Sequence, residues 1–108
     1  MLKINPPGLD HALHLVKTGQ YAINTIWEQN RPTEAQQQAY RTEHGDDELG
    51  KWYLAQDEHG YALPYGDFRR VHRSGVVAAR RAAEAQGCAE VAAAADEILD
   101  LFDRMNAC

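Results

Sequence analysis

The apolar positions of this chain fall mostly at helical spacing. Leu9, Ala12, Leu13, Val16, Gly19, Ile23, Ile26 and Trp27 form one stripe, so Leu9 to Asn30 reads as a helix. Gly19 inside it would cost about 1 kcal/mol against Ala and is read as a point where another element comes close. Pro32 pushes Arg31 out of the α region and ends the run. Upstream, residues 1–8 read as a lead-in, with Pro6 and Pro7 opposing a helix and Gly8 releasing the turn.

Thr33 can cap a short helix over Glu34 to Glu43, which carries little apolar payload beyond Ala35, Ala39 and Tyr40 and should lie exposed until Gly45 stops it. The acidic run Asp46-Asp47-Glu48 can open another helical turn. Trp52 to Ala55 and Tyr61 to Leu63 flank Asp57-Glu58-His59-Gly60, which predicts a small β-hairpin over about residues 52–63. Pro64 confines its second arm to an edge. The same stretch also fits a helix from Asp46 to Gln56, and the two readings compete.

From Asp67, a candidate cap, Phe68, Val71, Gly75, Ala78, Ala82 and Ala85 recur at steps of three and four. They predict a heptad seam on a helix over 67–86, closed by Gly87. Val91, Ala94, Ile98, Leu101 and Met105 form a second seam, with Phe102 beside it, on a helix from Ala89 to Met105. So short a joint between two such helices predicts an antiparallel αα-hairpin. The expected fold is mainly α: one small helical domain over 1–108 with a C-terminal helical hairpin and a short β-hairpin. Trp52, Tyr53, Tyr61 and Tyr65 are expected to form an aromatic cluster at one end of the helices.

At 108 residues the chain has room for one thin core, so a partner or a second copy could complete it. The net charge of -5 argues against general binding to nucleic acid or anionic membrane. The apolar stretches are too short to span a membrane, and the start lacks the apolar core of a signal peptide, so the expected location is cytoplasmic. Cys88 and Cys108 lack CxxC spacing and are expected to be two free thiols.

Charge is unevenly spread. Arg69, Arg70, Arg73, Arg80 and Arg81 fall within 67–86, against Asp67 and Glu84 alone, while the last helix carries Glu90, Asp96, Glu97, Asp100 and Asp103. Opposite charges can flank the seam as ion pairs. Yet Arg69, Arg70 and Arg73 would sit at the positive end of their helix dipole, which disfavours cations and favours an anion. Either Asp100 and Asp103 supply that anion or a partner does. Tyr65 and His72 flank the spot, and Tyr65, Arg69, Arg70, His72 and Arg73 form the candidate binding site for an anion or a partner. Ser74 has no GxSxG context and is not read as a nucleophile.

Other chemistry is sparse. His11 and His14 beside Asp10, and His44 beside Asp46, Asp47 and Glu48, lack the further ligands of a recognised metal site. Glu97-Ile98-Leu99-Asp100 looks a little like the second metal-binding ExxD pair of the all-α nucleotide pyrophosphatases, over these four residues and without an ExxE partner. That resemblance implies a metal-dependent nucleotide hydrolase, the least favoured of three readings. No catalytic residue, metal or cofactor is assigned. The leading expectation is a non-catalytic accessory domain of prokaryotic or phage type that binds another protein, with self-association as a homodimer left open. Nucleic-acid or phosphate binding through the arginines of 67–86 is the alternative.

Overall fold

The computed structural model describes residues 2–106. Most of the chain is helical, and the elements follow in the order β1 (Lys3–Ile4), α1 (Pro6–Lys17), β2 (Tyr21–Ala22), α2 (Trp27–Asn30), α3 (Glu34–His44), α4 (Asp46–Gly50), β3 (Tyr53–Asp57), β4 (Gly60–Pro64), β5 (Val71–His72), α5 (Arg73–Ala85) and α6 (Ala89–Met105). The residues read as a lead-in are structured. Pro6 and Pro7 occupy the first helical positions, where a missing N–H costs nothing because those groups have no intrahelical acceptor. Ahead of them, Lys3 and Ile4 pair antiparallel with Gln56 and Ala55.

The helix expected to run to Asn30 stops at Lys17. Gly19 takes φ 77°, its N–H bonds to Val16 O at 3.2 Å, and Gln20 N–H bonds to Leu15 O at 2.8 Å. That is a Schellman closure, which only a residue at ease in the left-handed region makes without strain. The chain then runs parallel to β5, pairing Tyr21 with Val71 and Ala22 with His72.

Thr33 caps α3 as expected and exchanges hydrogen bonds with Gln36 in a capping box; α3 buries no residue. The 46–56 stretch divides between its two readings: α4 takes the acidic run, and the aromatic residues form the hairpin. β3 and β4 join antiparallel around Glu58–His59, and β4 with Pro64 is the edge of a sheet ordered β1-β3-β4. Alternation along the strand splits the expected aromatic cluster. Tyr53 stacks on Tyr61, whereas Trp52 meets Tyr65 and Phe68 and donates from Nε1 to Tyr40 Oη at 3.2 Å.

The helical hairpin is present, with its first arm shorter than expected. α5 begins at Arg73, because Asp67 caps a turn instead: its Oδ1 accepts from the amides of Arg69 at 3.0 Å and Arg70 at 2.8 Å. Phe68 at φ 68° and the pairing of Val71–His72 with β2 are incompatible with a helix there. The buried stripe of α5 is accordingly Gly75, Val76, Ala79 and Ala83, one position past the predicted Ala78 and Ala82; Ala85 is exposed. On α6, Val91, Ala94, Ile98, Leu101 and Phe102 are buried as expected, whereas Met105 is exposed. Ion pairs of Arg73 with Asp103 and of Arg80 with Asp96 mark the antiparallel packing.

Two buried polar side chains tie α1 to the hairpin. Asn5 donates from Nδ2 to Gly50 O at 2.8 Å and Tyr53 O at 2.9 Å. The Tyr65 hydroxyl sits between the carbonyls of Gly8, at 3.0 Å, and Lys51. A Cβ on Gly8 would overlap the Tyr53 carbonyl, so glycine is what lets α1 lie this close.

The shifted stripe gives a paired prediction. Ala83→Leu should destabilise by about 1–3 kcal/mol, since it overfills a closed seam. Ala82→Leu should be close to neutral, because Ala82 borders a shallow cleft of about 150 Å³ beside Trp27, Arg31 and Leu63. Thermal melts of both variants check the register; the reverse ranking would contradict it.

Candidate functional site

The predicted site residues do not form one surface. Tyr65 and His72 are fully buried, so neither side chain meets a partner. Arg69 and Arg70 stand exposed on the turn before β5, not on a helix, so they do not oppose the α5 dipole. Only Arg73 lies in the first helical turn, and its guanidinium is 3.5 Å from Asp103. The internal anion foreseen on the last helix thus exists for one arginine. Asp100 makes no ion pair among the described residues, and neither do Arg31, Arg69, Arg70 or Arg81. Arg80 is held within the hairpin by Glu84 at 3.0 Å and by Asp96.

His72 acts inside the protein. Its Nε2 lies 2.9 Å from Asp67 Oδ2 and its Nδ1 2.9 Å from Thr25 Oγ1, which is 3.4 Å from Ser74 Oγ. Burial works against the charge of Asp67. The His72 bond and the amides of Arg70 and Arg69 outweigh it and hold the carboxyl below its ordinary range. The ionised carboxylate accepts only, so Nε2 carries the proton in this bond. The ring thereby stitches two irregular segments together: the turn carrying Arg69 and Arg70, and the loop between β2 and α2.

That loop borders a concavity. A cleft of about 440 Å³ lies between Ile23–Glu28 and the face of α5 that carries Arg73, Ser74, Val77, Ala78 and Arg81. Ile23 and Ile26 are 36% and 55% exposed, two of the three large apolar side chains so open among the described residues. Trp27 fixes the loop against α5: a Cβ on Gly75 would lie 2.7 Å from Trp27 Cζ3, so the indole packs where that carbon would stand. Asn24 turns the loop at φ 63°, a conformation its side chain tolerates better than most. Another cleft, of about 420 Å³, brings Arg31 and Arg69 together with Gln29, Gln36 and Phe68.

Reading residues 9–30 as one helix placed Ile23, Ile26 and Trp27 on a helical stripe and hid the loop. Gly19 followed by Asn24 was the available signal, since both residues favour left-handed backbone. The other candidates stay dispersed. Burial, with Lys51 and His14 adding to it, pushes the His11 imidazole below its ordinary range, and its ring meets Trp52 edge-on at 4.9 Å. Glu97 and Asp100 point to solvent. Among the described residues no three His, Cys, Asp or Glu side chains are grouped to hold a metal ion. Cys88 is a free thiol; Cys108 lies outside the described residues. No helix among the described residues is long and apolar enough to cross a membrane. No protein-family model matches the chain, and no curated protein or solved structure does.

The depressed carboxyl of Asp67 fixes the sign of a pH effect. Its stabilising contribution is complete above the ordinary carboxylate range and is lost as pH falls through that range and below. Asp67→Asn should therefore destabilise at neutral pH by about 1.5–3 kcal/mol, the scale of a hydrogen bond to a charged group. The deficit should shrink in acid. Melting curves across pH check it; a deficit independent of pH would contradict the role given to this carboxylate.

Proposed function

We propose that this chain is a cytoplasmic, non-catalytic interaction domain that binds another protein through the arginine-bearing face around α2 and the start of α5. The observation that carries the reading is the cleft between Ile23–Glu28 and α5, where exposed isoleucines lie beside the unpaired Arg81 and the weakly paired Arg73. Arg81 lines this cleft without a carboxylate partner among the described residues, and Arg31 and Arg69 do so in a neighbouring cleft, although the chain has a net charge of -5. Arginine is also enriched at protein interfaces. The notion of three arginines crowding one helix end is set aside: Arg69 lines the neighbouring cleft with Arg31, and Arg70 stands exposed on the same turn.

The test is capture of a partner from the cells that make the protein, quantified for wild type and charge reversals. Arg81→Glu should abolish capture of the partner that wild type retains, and Arg69→Glu with Arg70→Glu should weaken it. Arg104→Glu, an exposed position near the end of α6, should leave capture intact. Equal capture by all variants would end the proposal, as would a captured species that proves to be nucleic acid.

A second reading, hydrolysis at Thr25, has one observation in its favour: the chain of carboxylate, imidazole and hydroxyl from Asp67 through His72 to Thr25. In a working relay the imidazole must also hand a proton to the leaving group, and this ring is fully enclosed. Activated esters should accordingly show no turnover that Thr25→Ala abolishes. Turnover lost in that variant with folding intact would put the enzyme reading first.

A further inference from the structure

Arg73, Val77 and Arg81 stand four residues apart on α5, so they form one stripe along the cleft: cation, apolar, cation. The rise of an α-helix puts the outer two about 12 Å apart along the axis. Ile23 and Ile26 line the cleft from the loop, and Ser74 joins the lining from α5. Glu28 is the one carboxylate in the lining.

An extended chain advances about 3.3 Å per residue and repeats its facing every second residue. Positions four apart therefore lie on one face about 13 Å apart, with a third side chain midway between them. From this match, and resting on the reading of the chain as a protein-binding domain, we infer that the cleft takes an extended segment of a partner protein with an acidic, then an aliphatic, then an acidic side chain at alternate positions. The acids meet Arg73 and Arg81, and the aliphatic group enters between Val77 and the two isoleucines. The Arg73–Asp103 pair yields readily, since it is 3.5 Å long and both side chains are exposed. A phosphodiester strand fits less well. It offers no aliphatic group to cover Val77, Ile23 and Ile26, and it meets Glu28 and a chain of net charge -5.

The experiment titrates the whole labelled protein with a synthetic peptide, Asp-Ser-Leu-Ser-Asp with blocked ends, and follows amide NMR shifts. Shifts should concentrate in residues 23–28 and 73–81. Arg73→Ala and Arg81→Ala should each weaken binding about tenfold, the equivalent of one charge-assisted hydrogen bond. Arg104→Ala should change nothing. The reordered peptide Asp-Asp-Leu-Ser-Ser, with the same composition, should bind about tenfold more weakly, because only one acid can then reach its arginine. Equal binding of the two peptides, shifts outside the cleft, or no binding would overturn the inference. Should Arg81→Glu still abolish partner capture, the domain binds proteins through this face by another rule. If capture also survives that change, the interaction reading falls as well.

Discussion

A fully enclosed imidazole must have both of its nitrogens satisfied, and His72 meets that demand with two groups from segments that have no regular structure of their own. Asp67 anchors the turn before β5, and Thr25 anchors the loop after β2. The same residue ends the two-residue strand that pairs with β2 and leads directly into α5. Loop, turn and helix start are thus referred to one ring. Remove it, and the half-buried Asp67 carboxylate and Thr25 hydroxyl each lose the hydrogen bond that joins their segments. Together with Trp27 packed on Gly75, this bridge holds Ile23–Glu28 across from α5.

The rest of the fold supplies a rigid base beneath that bridge. Asn5 and Tyr65 satisfy the carbonyls where α4 gives way to β3, and Gly8 lets α1 settle against the strand. Trp27 seals the loop onto Gly75 as a side chain seals a joint. With these contacts made inside, what remains outside is uneven: Arg73 and Arg80 are paired across the helical hairpin, whereas Arg81 has no carboxylate partner among the described residues and stands beside open isoleucines. The functional reading follows from that contrast in pairing, because a paired charge is already spent within the protein and an unpaired one is free for a partner.

Much of the helical architecture was legible because it rests on local chemistry. The Thr33 box, the closure at Gly87, the hairpin turn at Asp57–Gly60 and the stripe of α6 all announce themselves within a few residues. The misreadings share a cause: a spacing of three or four was taken as sufficient for a helix. Phe68 and Val71 are apolar for different reasons, one stacking on Tyr40 and the other pairing in a strand, and their spacing matched a heptad by coincidence. Ile23, Ile26 and Trp27 likewise fit a stripe that Gly19 had already ended. Pro6 and Pro7 were read as obstacles when they open a helix. The site itself was only half visible. Arg73 was named, but the parallel pairing of residues 21–22 with 71–72 joins segments about fifty positions apart, and no local pattern encodes it.

The account stands or falls on the His72 bridge, and NMR of the imidazole nitrogens tests it directly. The bridge requires a proton on Nε2 that exchanges slowly with water, because the ring is enclosed and hydrogen-bonded to Asp67. It also requires Thr25→Val to shift the Nδ1 resonance and the amides of Ile23–Glu28 while the Nε2 proton stays protected. A ring proton in fast exchange, with Nδ1 unmoved by the Thr25 substitution, would show that the ring does not hold the loop and would contradict the account.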